Sequence, residues 1–377
     1  MAAPPMLIAC LWFALGAGPH AAPAQDRVRP LAEFEIAPDG DFVLIPLIIN
    51  HREYPFLVCT GIATTSIDSK LRDELQLPEA ASRTGGRQRY KLHARMGESD
   101  LHFPEGVETA DYAPMRAGLD LEIYGELGMD VFGGKIMQID FDEGILRFLP
   151  FVPPGCGRAH RIFQKGRPSP VPTLCLELPG EKGDPFIVAT GRVGNSLDID
   201  TPLLQELERS GNATVLSKEP GVNRNGATVS KTVQVEGLQV GDLRNKSIIA
   251  VSGEKRCVRL AYLARYLVTF DFRRGFVHLK KGAQFDIPDA EIDLSEIAVT
   301  RAGDSVTVTS VNPCGPAAGL GLRTGDQLDV LNGRPTSRMS IWQIRRVLGR
   351  DDRPLTVEVV REGEVLKFES APSQAVE

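Results

Sequence analysis

The apolar positions of this chain alternate far more often than they recur at helical spacing. Residues 32–50 carry Phe34 and Ile36, then the run Phe42-Val-Leu-Ile-Pro-Leu-Ile-Ile49. Asp39-Gly40 between them is a hairpin signal. Ile136-Met-Gln-Ile-Asp-Phe-Asp-Glu-Gly-Ile-Leu-Arg-Phe148 reads as a second hairpin, turning at Asp142-Glu143-Gly144. Helical text is short: Asp68 to Leu75 with Asp68 as N-cap, and Thr201 to Leu207. The pattern predicts a mainly β protein.

Superposed on this alternation is a repeat. Pro55-Phe-Leu-Val-Cys-Thr-Gly-Ile-Ala-Thr-Thr-Ser-Ile-Asp68 returns 130 positions later as Pro185-Phe-Ile-Val-Ala-Thr-Gly-Arg-Val-Gly-Asn-Ser-Leu-Asp198. Each copy is an apolar strand running into Thr-Gly, a loop of small residues, and Ser-aliphatic-Asp. Asp140-Phe141 and Asp271-Phe272 lie 131 apart. The offset thus agrees at both ends of the unit to within one residue, which an accidental match at one motif would not produce.

The pair of loops resembles the active-site loops of the pepsin and retropepsin aspartic proteases, which carry Asp-Thr-Gly in each half. The resemblance covers about residues 32–282. It implies two β-barrel lobes about a pseudo-twofold axis, with threonines hydrogen-bonded across it. It also implies an aliphatic-Gly segment, here Leu127-Gly128, crossing under the first loop, with Leu260-Ala261 in that place in the second. Thr60, Gly61, Thr190 and Gly191 match the family pattern, but Cys59 and Ala189 stand where the carboxylates belong. The family's chemistry needs two carboxyls close enough to share a proton. With both gone, the resemblance implies degenerate loops and no aspartic-type catalysis.

A cysteine nucleophile at Cys59 would need a neighbouring base. His51, His93, His102, His160 and His278 form no recognisable motif beside it. Asp68 and Asp198 recur at equal offsets and read as caps of the following helices, and Asp130 reads as a loop or cap carboxylate.

Residues 294–371 form a third unit. Cys314-Gly-Pro-Ala-Ala-Gly-Leu-Gly-Leu-Arg-Thr-Gly-Asp-Gln-Leu-Asp-Val-Leu-Asn-Gly333 resembles the core of bacterial PDZ domains, a small α+β fold. A short helix at Pro316, a turn at Gly325-Asp326, a tight hairpin at Asn332-Gly333, a helix over Ser340 to Leu348 and a closing strand pair are expected. The resemblance implies peptide binding by strand addition beside Val299, in a groove that includes Ile297, Ile344 and Val347. Backbone amides near Ser295 to Ile297 would capture a C-terminal carboxylate, although this loop lacks the glycine that family members often show.

The remaining text sets boundaries. Met6 to Gly18 is an apolar run with a small-x-small site at Ala22-Pro23-Ala24, so residues 1–24 read as an export signal and the protein as periplasmic or extracellular. No other run could span a bilayer. Lobe 1 is then 25–150, a Pro/Gly/Arg-rich linker 151–170, lobe 2 171–283, and a second linker 284–293. Of six cysteines, Cys10 leaves with the signal; the irregular spacing of the rest suits neither a disulfide framework nor zinc, with a Cys156–Cys175 bridge as one option. The net charge is −6 without a basic, aromatic-laced stripe, which excludes nucleic acid as the expected partner. No metal or cofactor is implied. The expected partner is a polypeptide or protein C-terminus, held in the inter-lobe cleft or the PDZ groove. An active peptidase using Cys59 or an unrecognised carboxylate, and a structural envelope protein, are the alternatives.

Overall fold

The computed structural model describes residues 28–36, 42–80, 88–119, 121–163, 169–179, 183–192, 195–223, 226–286, 289, 297–302, 304–311, 316–339, 344, 347–348 and 354–370. The expected export signal, the Asp39-Gly40 turn, the Ser295 loop and most of the Ser340 to Leu348 helix lie outside the described residues.

The protein is mainly β, built from several sheets with short helices between strands. The Leu44–Ile49 strand buries every second side chain, Ile45, Leu47 and Ile49, as a half-buried strand must. Its neighbour Arg52–Val58 ends at the Cys59 loop.

The repeat seen in the text is a repeat of elements. Strand Arg52–Val58, strand Ser66–Asp68, helix Ser69–Glu74, strand Gly125–Leu127, helix Met129–Phe132, and strands Ile136–Asp140 and Ile145–Leu149 follow in that order. Asp184–Ala189, Leu197–Asp200, Thr201–Arg209, Cys257–Arg259, Leu260–Leu263, Tyr266–Asp271 and Phe276–Lys281 repeat it. The pairings repeat as well: Val58 lies parallel to Leu127, and Val188 parallel to Val258.

One six-stranded sheet joins the halves. At its centre Ile136–Asp140 runs antiparallel to Tyr266–Asp271, with Gln138 opposite Thr269. Each of these two residues is the other's counterpart at the repeat offset of 131. A residue paired with its own counterpart sits on the local twofold axis. Gln138 Nε2 donates to Thr269 Oγ1 at 2.9 Å there. Because these strands are covered on both faces, their side chains are buried nearly throughout, and one apolar cluster is continuous through both halves.

Three sequence readings are corrected. Residues 151–170 are not a linker: Arg158–Arg161 is a strand paired with Phe276–Lys281, as Ala32–Glu35 pairs with Ile145–Leu149. The Gly-rich text ahead of it is a tight turn. Gly157 has φ +99°, and a Cβ there would lie 2.1 Å from the Leu279 carbonyl oxygen. The 284–293 segment is anchored to lobe 2 where it is described. Phe285 is buried, and Asp289 accepts from Arg265 Nη2 at 2.6 Å and from the Ile249 amide at 2.6 Å. The segment crossing under the second loop is Val258-Arg259 rather than Leu260-Ala261, which begin the next helix. Beyond the helix Thr201–Arg209, the second half carries a long hairpin, Ala213–Asn223 against Gly226–Val240.

The third unit has its own sheet, in the order Ile297–Ala302, Ser305–Val311, Gln327–Leu331, Leu355–Arg361, Glu364–Ser370. The helix Pro316–Leu320 and the positive-φ turn at Asn332 and Gly333 lie where the text placed them. Its core, centred on Val306, Leu331, Ile344, Val357 and Val359, is separate from that of the lobes. A fragment of residues 294–371 is therefore expected to show one cooperative thermal transition by circular dichroism; a broad, non-cooperative melt would refute this.

Candidate functional site

The two Thr-Gly loops meet at the twofold axis. Thr60 N–H donates to Thr190 Oγ1 at 3.0 Å, and Thr190 N–H to Thr60 Oγ1 at 3.4 Å. Each hydroxyl also reaches through to the strand of the other half. Thr60 Oγ1 donates to the Val188 carbonyl at 2.6 Å and Thr190 Oγ1 to the Val58 carbonyl at 2.7 Å. Both threonines are fully buried. The arrangement satisfies polar groups that would otherwise be stranded in the joint.

The glycines bring the loops into contact. A Cβ on Gly61 would lie 2.9 Å from the Ala189 Cβ, and one on Gly191 would lie 2.6 Å from the Cys59 Sγ. Cys59 and Ala189 therefore each face the glycine of the opposite loop. All six loop residues come together at one place, and the side chains there are a thiol and a methyl. Beneath the first loop, the Cys59 amide donates to the Leu127 carbonyl at 3.0 Å, and Gly128 passes so close to Thr64 that a Cβ would meet backbone at 2.8 Å. Asp130 fixes the loop by accepting from Thr65 N–H at 2.9 Å and Thr65 Oγ1 at 2.7 Å.

The thiol is not poised to ionise. Burial, and next the Glu126 carboxylate, push the Cys59 pKa up to about 12, against smaller opposing effects from the Gly61 and Gly191 amides and Arg192. None of the described histidines is among the groups that shift it. Cys59, Cys156 and Cys257 are free thiols, so Cys156 and Cys175 are not bridged to each other.

The two helix-proximal aspartates have diverged. Asp68 caps its helix through the Lys70 and Leu71 amides and also holds Arg116 Nη1 at 2.9 Å. Asp198 does not cap; Asp200 does so for its helix, accepting from the Leu203 amide. Asp198 is buried between Arg259 and Arg192, the latter at 3.3 Å. The cap reading of Asp198 is corrected by the two residues of strand that continue past it.

The sequence reading passed over a polar cluster next to Cys59. Glu126 lies opposite Leu57 in the parallel pairing and opposite Ser66 in the antiparallel one. Side chains two apart share a sheet face, so Glu126, Ser66, Leu57 and Cys59 project to one side. Tyr112 spans this row: its hydroxyl lies 2.6 Å from Ser66 Oγ and donates to Glu126 Oε2 at 3.2 Å. Burial raises the Glu126 pKa, with the Tyr112 hydrogen bond and Arg192 of the other half opposing. The only signal in the text was a lone ionisable residue in the crossing strand, at the position that holds Cys257 in the second copy.

A stability consequence follows from that raised pKa. The folded state holds the Glu126 proton more tightly than the unfolded chain, so the wild type loses stability as pH rises through the folded-state value. Glu126→Gln keeps the acceptor for Tyr112 and cannot ionise. Its melting temperature is expected to exceed the wild type's at neutral pH and to converge with it in acid; equal profiles at every pH would refute this.

In the third unit Ile297, Val299 and Ile344 are core residues, and Val347 is half-buried against the same core. Alternation on the Ile297–Ala302 strand points those side chains inward. Asp326, buried in the turn, accepts from Arg361 Nε at 2.6 Å, Arg361 Nη2 at 2.7 Å and the Arg323 amide at 2.8 Å. Elsewhere, a cavity of about 290 Å³ at the end of the joining sheet is lined by Ile136, Phe151, Asp271 and Arg274, among others, and by none of the Thr-Gly loop residues. Among the described residues, no helix is long and apolar enough to cross a membrane, and no group of His, Cys, Asp and Glu could hold a metal ion. No protein-family model and no curated protein matches this chain.

Proposed function

We propose that the two-lobed body is a catalytically degenerate relative of the pepsin and retropepsin aspartic proteases, joined to a PDZ domain, exported, and used to bind polypeptide in the inter-lobe cleft or the PDZ groove. One observation carries the reading: the reciprocal Thr60–Thr190 joint is complete while the side chains at positions 59 and 189 supply no carboxyl. A positioned general base contributes about 10²–10⁴-fold to such chemistry, and neither half offers one at the family's place. The protonated, buried Cys59 thiol supports the same reading against a cysteine nucleophile.

The test is the full chain with a labelled unfolded protein from acid to neutral pH. Retention without cleavage is expected. Turnover that survives Cys59→Ala would show another group at work, and turnover abolished by it would make Cys59 a nucleophile; either overturns the reading. Cys59→Asp combined with Ala189→Asp should restore a proton-sharing pair and weak acid-range proteolysis, whereas Ala189→Asp alone should not.

A further inference from the structure

The Glu126 carboxyl is held at one end only. Oε2 accepts from Tyr112, which is braced in turn by Ser66, while Oε1 has no hydrogen-bond partner among the described residues. The group is half-buried and projects on the face that carries Cys59, beside the meeting point of the lobes. The cation that acts on it, Arg192, extends from the opposite loop and is already engaged by Asp198 at 3.3 Å. A partly desolvated carboxylate with an open oxygen is costly unless a cation reaches it. The second copy has Cys257 at this position, so the feature belongs to one half alone.

We infer that Glu126 is a specificity subsite of the cleft that takes a lysine or arginine side chain of a bound polypeptide. The inference rests on the polypeptide-binding reading above. A long basic side chain suits the site chemically: its flexible stem lets the charged end reach Oε1 while the rest of the polypeptide stays outside the buried Leu57 and Cys59. The Tyr112 hydroxyl fixes the carboxyl in place beforehand, so little ordering is left for the ligand to impose.

The experiment uses the full chain and an array of N-acetylated, C-amidated peptides of about twelve residues, sampling all residue types at each position. The blocked C-terminus removes carboxylate capture by the third unit. The wild type is expected to prefer Lys or Arg at one position, and acetylation of that lysine should weaken binding at least about tenfold. Glu126→Gln, which preserves the Tyr112 contact, should bind lysine and acetyl-lysine peptides alike. Retention of peptides with no basic preference, or a preference unchanged in Glu126→Gln, would overturn the subsite and leave the polypeptide-binding reading standing. Retention of no peptide by the wild type would overturn cleft binding and the subsite with it.

Discussion

Thr60→Val is expected to destabilise the full chain by about 2–4 kcal/mol, because it strands a buried carbonyl and a buried amide at once. The Thr60 hydroxyl is the partner of both the Val188 carbonyl and the Thr190 amide, and the site admits no water-exposed alternative. Valine fills the same volume, so the loss reports hydrogen bonding rather than a cavity. Thr190→Val strands the Val58 carbonyl and the Thr60 amide by the same logic. The double variant should cost less than the sum of the two, since both act on one joint. Thr60→Ser keeps the hydroxyl and should retain most of the stability. Urea titration followed by far-ultraviolet circular dichroism checks this, since both tryptophans, Trp12 and Trp342, lie outside the two halves. A Thr60→Val midpoint equal to the wild type's would show that the hydroxyl bridges nothing.

Asp326→Ala should be nearly as damaging, with its effect confined to the third unit. It removes an acceptor that two nitrogens of Arg361 and the Arg323 amide share. Breaking a buried pair costs about 3–5 kcal/mol, and the partial exposure of Arg361 lowers the expectation to about 2–4 kcal/mol. Burial opposes ionisation of Asp326, but Arg361 and the Arg323 amide outweigh it and hold the carboxyl below the ordinary aspartate range. The associated stability is present above the unfolded-state pKa and is lost as pH falls through the depressed folded-state value. The wild-type unit should therefore weaken in strong acid, and Asp326→Ala should flatten that limb. An acid limb identical in both proteins would show that this carboxylate is not the titrating group.

What could be read in the text was what short-range chemistry encodes. Alternating apolar residues gave the mainly β organisation, and Asp68 could be recognised as a cap because the amides that donate to it lie two and three residues on. The doubled Thr-Gly loop was visible because its glycines answer to a close approach that no other residue permits. What was missed depends on distant partners. Arg158–Arg161 looks like linker text until the Phe276–Lys281 edge is placed beside it. Glu126 looks like a surface acid in a three-residue strand until Tyr112 and Ser66 close over it. Asp198 and Asp200 differ in role because the strand runs two residues longer in the second copy, which alternation alone does not mark.

The pairing of Gln138 with Thr269 bears on how such a molecule could have arisen. An assembly of two identical chains would set glutamine against glutamine at that point on the axis, and cysteine against cysteine beside the loops. Carrying both halves in one chain lifts that constraint. An amide can then oppose a hydroxyl, and one wall can hold a carboxyl where the other holds a thiol. If the joint binds polypeptide as proposed, walls that differ in this way would distinguish the two directions of an extended chain, which strictly symmetric walls would not.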